Sequence, residues 1–131
     1  MPATKAKKKS KKTEQKVESG KVYISASFNN SLITITDSDG RVLVWGSAGA
    51  SGFKGTRKST PFAATTAVDK AINKAKEEFG LKEVEIYVKG PGPGRDAALR
   101  AIRGAGVKIS LIADITPFPH NGPRPKKKRR V

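Results

Sequence analysis

Apolar and polar positions alternate in three consecutive stretches near the start of the chain. Over residues 21–28, Val22, Ile24, Ala26 and Phe28 fall on one side of an extended strand. Residues 31–37 repeat the two-residue period through Leu32, Ile33, Thr34, Ile35 and Thr36, a β-branched run that suits a pleated surface. Residues 41–47 form a third such stretch, with Val42, Val44 and Gly46 opposite Leu43 and Trp45. Asn29-Asn30 divides the first two stretches, and asparagine tolerates left-handed backbone. Ser38-Asp39-Gly40 divides the second from the third and reads as a hairpin turn. Together they predict an antiparallel three-stranded meander.

The period then lengthens. Ala64, Val68, Ala71, Ile72, Ala75 and Phe79 keep helical spacing, with charged and polar residues between them. Thr60 is placed to cap this helix, Pro61 fits its first turn, and Gly80 follows its last residue. Residues 82–89 return to strand character. Residues 95–105 form a shorter helix with Ala98, Leu99, Ile102 and Ala105 as its stripe, closed by Gly104 and Gly106. A last strand covers 107–115, with Val107, Ile109, Leu111 and Ile112. The order β-β-β-α-β-α-β predicts an α/β fold with a mixed sheet and helices packed on it.

Charge changes the picture at both ends. The chain has 131 residues and a formal net charge of +16. Residues 1–20 hold seven lysines against Glu14 and Glu18, with little to bury, and are expected to be disordered alone. Residues 117–131 hold six basic residues and no acidic one, behind four prolines that keep the segment extended. Most of the excess charge therefore sits in two arms flanking a domain over 21–116, and points to a polyanionic partner. There is no cysteine, so no disulfide framework or thiolate metal site. No apolar run reaches the roughly 18 residues of a membrane span, and the basic N-terminus lacks a signal-peptide core. A cytoplasmic protein without membrane attachment is expected.

Two glycine-rich stretches bring candidate binding chemistry. Residues 49–59 mix Gly49, Gly52 and Gly55 with Lys54, Arg57 and Lys58, the hydroxyls of Ser51, Thr56 and Ser59, and Phe53. Such a loop allows close backbone approach and favours phosphates, and Phe53 either stacks on a base or turns into the core. Val84-Glu85-Ile86-Tyr87-Val88 feeds Gly90-Pro91-Gly92-Pro93-Gly94-Arg95 and a helix start, a setting that suits a phosphate. The spacing is not that of a nucleotide-binding loop, and Pro91 and Pro93 donate no N–H. A stiff hinge, with or without contact to a nucleic-acid backbone through Arg95, is the better reading.

Catalytic chemistry is sparse. His120 is the single histidine and has no neighbouring carboxylate. No serine sits in a nucleophile-elbow context. A metal-dependent nuclease would need Asp37, Asp39, Asp96 and Asp114 to converge, whereas Asp39 suits a turn and Asp96 a first helical turn. A nonspecific basic nucleic-acid-compacting protein is a further alternative.

Several motifs occur in order: Phe28-Asn29-Asn30, Gly52-Phe53-Lys54-Gly55-Thr56-Arg57-Lys58-Ser59-Thr60-Pro61-Phe62-Ala63-Ala64, the glycine hinge, Ala101-Ile102-Arg103, and Asp114-Ile115-Thr116-Pro117-Phe118-Pro119-His120-Asn121-Gly122. From about residue 22 to its end, the chain resembles the bacterial form of the eleventh-protein family of the small ribosomal subunit. The resemblance implies a ribonuclease-H-like fold without nuclease activity or cofactor. It implies a place in the ribosome, on the small-subunit platform. There it would bind 16S-type ribosomal RNA, beside messenger RNA in the exit cleft that holds the Shine–Dalgarno helix. Small-subunit proteins seven, eighteen and twenty-one are the implied neighbours. Carried onto matching positions, the implied RNA contacts are Asn29, Asn30, Lys54, Gly55, Arg57, Lys58, Ser59, Gly92, Arg95, His120, Asn121, Gly122, Arg124, Lys126, Lys127, Lys128, Arg129 and Arg130. Asn121, before Gly122, is the implied site of isoaspartate formation. Pro93 departs from the family pattern and offers no amide to a phosphate.

Overall fold

A computed structural model describes residues 16–130. The elements are β1 (Ser19–Ala26), β2 (Ser31–Asp37), β3 (Val42–Ser47), a 3-10 turn (Gly55–Ser59), α1 (Pro61–Phe79), β4 (Glu83–Lys89), α2 (Arg95–Gly104) and β5 (Lys108–Asp114). Their order is the expected one, with the 3-10 turn added inside the glycine-rich loop. Most of the arm over 1–20 lies outside the described residues. Its last two residues open β1, where Ser19 and Gly20 carry no apolar side chain to reveal the strand.

The five strands form one sheet in the order β3-β2-β1-β4-β5. β2 runs antiparallel to β1 and β3, while β4 and β5 run parallel to β1. This is the ribonuclease-H-like arrangement. The β2–β3 turn closes because Asp37 Oδ1 accepts from the amides of Asp39 (3.0 Å) and Arg41 (2.8 Å), while Gly40 takes φ 96°.

One face of the sheet is apolar. Val22 and Ile24 of β1 lie opposite Ile35 and Ile33 of β2 and beside Ile86 and Val88 of β4. Both helices cover this face. Thr60 Oγ1 accepts from the Ala63 amide at 3.3 Å, and Gly80 ends α1 at φ 66°. The buried stripe of α1 joins Ala64, Val68, Ala71, Ile72, Ala75 and Phe79, as the spacing predicts, with Ala63 and Ala67 added. Its small residues let the helix lie close to β3. A Cβ on Gly46 would stand 3.9 Å from both the Ala67 carbonyl and the Ala71 Cβ. In α2, Ala98, Ala101 and Ile102 are buried.

Departures from strict alternation have local causes. A register shift between Ile35 and Thr36 leaves Val42 exposed and lets Leu43 pack partly against the core, the reverse of the expected faces. A second shift between Val84 and Glu85 skips Ser110, so Ile112 rather than Leu111 follows Ile109 on the helix side. Leu111 and Ile112 stay about half exposed because β5 is an edge strand. Phe28, expected inward, is 71% exposed because β1 already ends at Ala26. Opposite the helices, Trp45, Thr34, Tyr23, Tyr87 and Ala113 form a row across all five strands. Within it the Tyr23 and Tyr87 rings stack at 5.2 Å.

Candidate nucleic-acid interface

Strand direction decides where the connecting segments gather. β1, β4 and β5 run parallel, and β3 runs antiparallel to β2, so all four finish at one end of the sheet. The turn 27–30, the loop 48–59, the hinge 90–94 and the C-terminal arm all leave from that end. Open α/β sheets place ligands beyond the carboxyl ends of their strands.

The turn after β1 is tied tightly. Ser27 Oγ accepts from the amides of Asn29 (3.4 Å) and Asn30 (3.1 Å) and donates to the Asn30 carbonyl (3.0 Å). Asn30 Oδ1 accepts from the Ser31 amide at 2.9 Å, so that side chain is engaged in shaping the turn. Asn29 is exposed beside it. Across from the turn, the 3-10 helix carries Arg57 and Lys58 in its last turn. Phe28, Asn29, Gly55, Lys58 and Ser59 line a cleft of about 390 Å³ between the two segments. Ser51, Gly52, Phe53, Lys54 and Arg57 line a second of about 410 Å³. Phe53 neither enters the core nor stands free; its ring meets the exposed Phe62 edge-on at 5.8 Å. The structure thus brings Asn29, Asn30, Lys54, Gly55, Arg57, Lys58 and Ser59 together.

The hinge packs against the same turn. Gly92 is buried and its amide donates to the Ala26 carbonyl at 2.9 Å, so this donor serves the fold. Gly94 lies where an added Cβ would be 2.4 Å from Ser31 Oγ and 2.8 Å from the Ala64 Cβ, which puts the starts of both helices side by side. The positive ends of two helix dipoles therefore face the loop end together. Arg95 Nη2 pairs with Asp114 Oδ2 at 2.7 Å, and its Nη1 donates to the Gly90 carbonyl at 3.3 Å. No other ion pair occurs among the described residues. Hydrogen bonds from Thr116, and then from Arg95, hold the Asp114 carboxyl well below the usual carboxylate range.

The C-terminal arm starts at this corner. The Ile115 amide donates to the Val88 carbonyl (2.8 Å), and the Gly90 amide to Thr116 Oγ1 (3.1 Å). Beyond it, residues 117–130 enter no helix or strand and are exposed throughout. His120, Asn121, Gly122, Arg124, Lys126, Lys127, Lys128, Arg129 and Arg130 all lie on this arm. Asn121 takes φ 57°, the left-handed region asparagine tolerates.

Among the described residues, Asp96 and Asp114 are the acidic side chains at this end, and most of the others lie away from it. Glu18, Asp37, Asp39, Glu77, Glu78 and Glu83 gather where β1 and β4 begin and α1 finishes. Asp37 and Asp114 thus stand at opposite ends of the sheet, which removes the convergence a metal-dependent nuclease would need. Among the described residues no group of three possible metal ligands comes together, and no helix is long and apolar enough to cross a membrane.

Sequence reasoning missed Phe28 and Thr116. The serine before Phe28 was the available signal, since a Ser hydroxyl can close a turn on its own backbone. Thr116 meets the hinge 26 residues earlier in the chain, a contact that no local pattern announces.

Comparison with known proteins follows the same lines. A family model described as ribosomal protein S11 matches residues 20–130. The small ribosomal subunit protein uS11 of Colwellia psychrerythraea is 58% identical over 121 residues, 92% of this chain and 93% of its own. The uS11 of Hahella chejuensis is 55% identical over 130 residues, 99% of this chain and 98% of its own. The uS11c of Angiopteris evecta is 56% identical over 121 residues, 92% of each chain.

Proposed function

We propose, from the premise that this chain belongs to the ribosomal protein S11 family, that it grips 16S-type ribosomal RNA with the loop end of its sheet. Family membership makes it a component of the small ribosomal subunit in the cytoplasm, engaged in translation, and not an enzyme. The proposal adds how it works there. It binds backbone phosphates on the subunit platform, and it helps shape the messenger-exit cleft around the Shine–Dalgarno helix. Its neighbours are small-subunit proteins seven, eighteen and twenty-one.

The observation that carries this reading is the convergence of three basic segments with two helix N-termini on one end of the sheet, where Asp96 and Asp114 are the acidic residues present, while Glu18, Asp37, Asp39, Glu77, Glu78 and Glu83 gather at the other. Such a distribution steers a polyanion toward one end. Lys54, Arg57 and Lys58 supply phosphate contacts from the 3-10 turn and the residue before it, with Gly55 and Ser59 giving close backbone approach and Asn29 and Asn30 flanking them. Arg95 offers the guanidinium surface left beside its Asp114 pair, and Gly92 shapes the hinge beneath it. The arm from His120 to Arg130 adds the remaining cations. Within the arm, Asn121 before Gly122 is the proposed site of isoaspartate formation. Residues 21–116, together with Ser19 and Gly20 at the start of β1, act as the binding domain, and the rest of 1–20 and 117–131 as its two arms.

Charge reversal tests the polarity. Lys54, Arg57 and Lys58 changed together to Glu are expected to weaken binding to a 16S-type RNA transcript at least about tenfold, since each phosphate left unneutralised forfeits counterion release. Reversal of Lys16, Lys82 and Lys108 at the other end should leave affinity within about twofold. Equal losses from the two triple variants, or equal affinity for duplex DNA at matched salt, would reject the reading in favour of nonspecific compaction.

A further inference from the structure

Phe28 is held in water by a turn that gives it no route inward. β1 ends at Ala26, and hydrogen bonds at both the amide and the hydroxyl of Ser27 close the following turn on Asn30. The ring is 71% exposed and makes no ring contact with another aromatic among the described residues. Burying a phenylalanine is favourable, so a rigid turn that displays one forgoes that gain. A single exposed aromatic is ordinary by itself. Here it forms a wall of the cleft of about 390 Å³ whose other members are Asn29, Gly55, Lys58 and Ser59.

The opposite wall is open and cationic. Gly55 takes φ 60° and has nothing within 4 Å of an added Cβ, so the cleft is clear above it. The Lys58 stem passes near Gly49, where an added Cβ would come within 3.4 Å of Lys58 Cδ. An apolar ring, a carboxamide and an ammonium thus face one space. Among the described residues no acidic side chain lines it. Each group matches one part of an unpaired nucleotide: a π-face for the base, paired donor and acceptor for a base edge, and a charge for phosphate. An apolar peptide side chain would use the ring and leave the carboxamide and the ammonium idle.

We propose that this cleft receives an unstacked base of bulged or single-stranded RNA, stacked on Phe28, with Asn29 at its edge and Lys58 at its phosphate. The inference rests on the RNA-binding reading above and adds, in the stacking on Phe28, a contact that ionic strength does not govern.

The test uses the full chain and a 16S-type RNA transcript, with binding measured over a salt series. Phe28→Leu keeps apolar bulk but removes the π-face. It should bind roughly ten- to a hundredfold more weakly at every salt concentration, with an unchanged salt slope. Phe28→Trp, placed in a Trp45→Phe background, should bind like the parent, and its fluorescence should be quenched by the RNA. Trp45 is 74% exposed on the open sheet face, so its replacement leaves the core alone. Circular dichroism verifies that each variant is folded. Wild-type affinity in Phe28→Leu, or unquenched fluorescence of the introduced indole in the bound complex, overturns the stacking contact while the phosphate reading stands. Failure of the parent chain to bind the transcript would instead strike the function proposed above.

Discussion

Arg95 and Asp114 carry opposite charges on different elements, and their pairing changes the meaning of both. From sequence, Arg95 follows the last hinge glycine and reads as a phosphate contact, while Asp114 is a strand-end carboxylate. In the fold the guanidinium ties α2 to the end of β5, with its side chain still one-third exposed. Asp114 also accepts from the amide (3.0 Å) and the hydroxyl (2.6 Å) of Thr116. All of these bonds favour the ionised carboxylate, so its folded pKa lies below its unfolded value of about 3.9. A depressed carboxylate contributes stability that is present above the unfolded pKa and is lost as pH falls through the folded one. Asp114→Asn should therefore be less stable than the parent at pH 7, with the difference shrinking below about pH 4. Urea denaturation at pH 7, 5 and 3 measures this; a constant difference would mean the charge is irrelevant. The pair was illegible in the sequence because 19 residues separate its members, and only the parallel register of β5 brings them together.

At the scale of elements, the helix caps and the hairpin turn were readable because their chemistry is local. Thr60, Pro61 and Gly80 bound α1 where a capping hydroxyl, a fixed φ and a left-handed residue would place its ends. The register shifts at Ile35/Thr36 and Val84/Glu85 were not readable, since each depends on the partner strand. The hinge stands between these cases. Its glycines announced an unusual backbone, but not the reason for it. That reason is crowding: an added Cβ would lie 2.3 Å from the Ala26 carbonyl at Gly90 and 2.3 Å from the Ser27 carbonyl at Gly92. Backbone oxygens in β1 and its turn cannot step aside as a side-chain tip can. Gly92→Ala should thus destabilise the fold by about 3 kcal/mol, the scale of overpacking at a rigid site. Gly104→Ala, with nothing within 4 Å of the new methyl, should be neutral or stabilising by up to about 1 kcal/mol. Denaturation midpoints of the two variants provide the comparison, and similar values would show that the hinge yields.

The whole molecule is a polarised domain with a charged arm. The surplus of charge and its concentration in the ends were plain from composition. Its relation to the sheet was not, because strand direction alone decides that the basic loop, the hinge and the arm share one end while Asp37 and Glu83 lie at the other. Removing residues 124–130 should weaken binding to a 16S-type RNA transcript. It should also make the plot of log affinity against log salt shallower by roughly 0.7–0.9 for each phosphate that the arm no longer neutralises. An unchanged slope would place the arm's cations off the phosphates. The anchoring of the arm has a kinetic side. Ile115 and Thr116 are hydrogen-bonded to Val88 and Gly90, so the arm leaves from a fixed point beside the other proposed contacts. Fourteen residues beyond that point, 117–130, reach on the order of 45 Å when extended. Under the RNA-binding role proposed above, once the domain has landed the cations would search a bounded volume at an effective concentration in the millimolar range, and would need no second encounter from solution. Release would likewise demand that both proposed grips let go within one recapture time, so two individually weak holds would lengthen each other's residence.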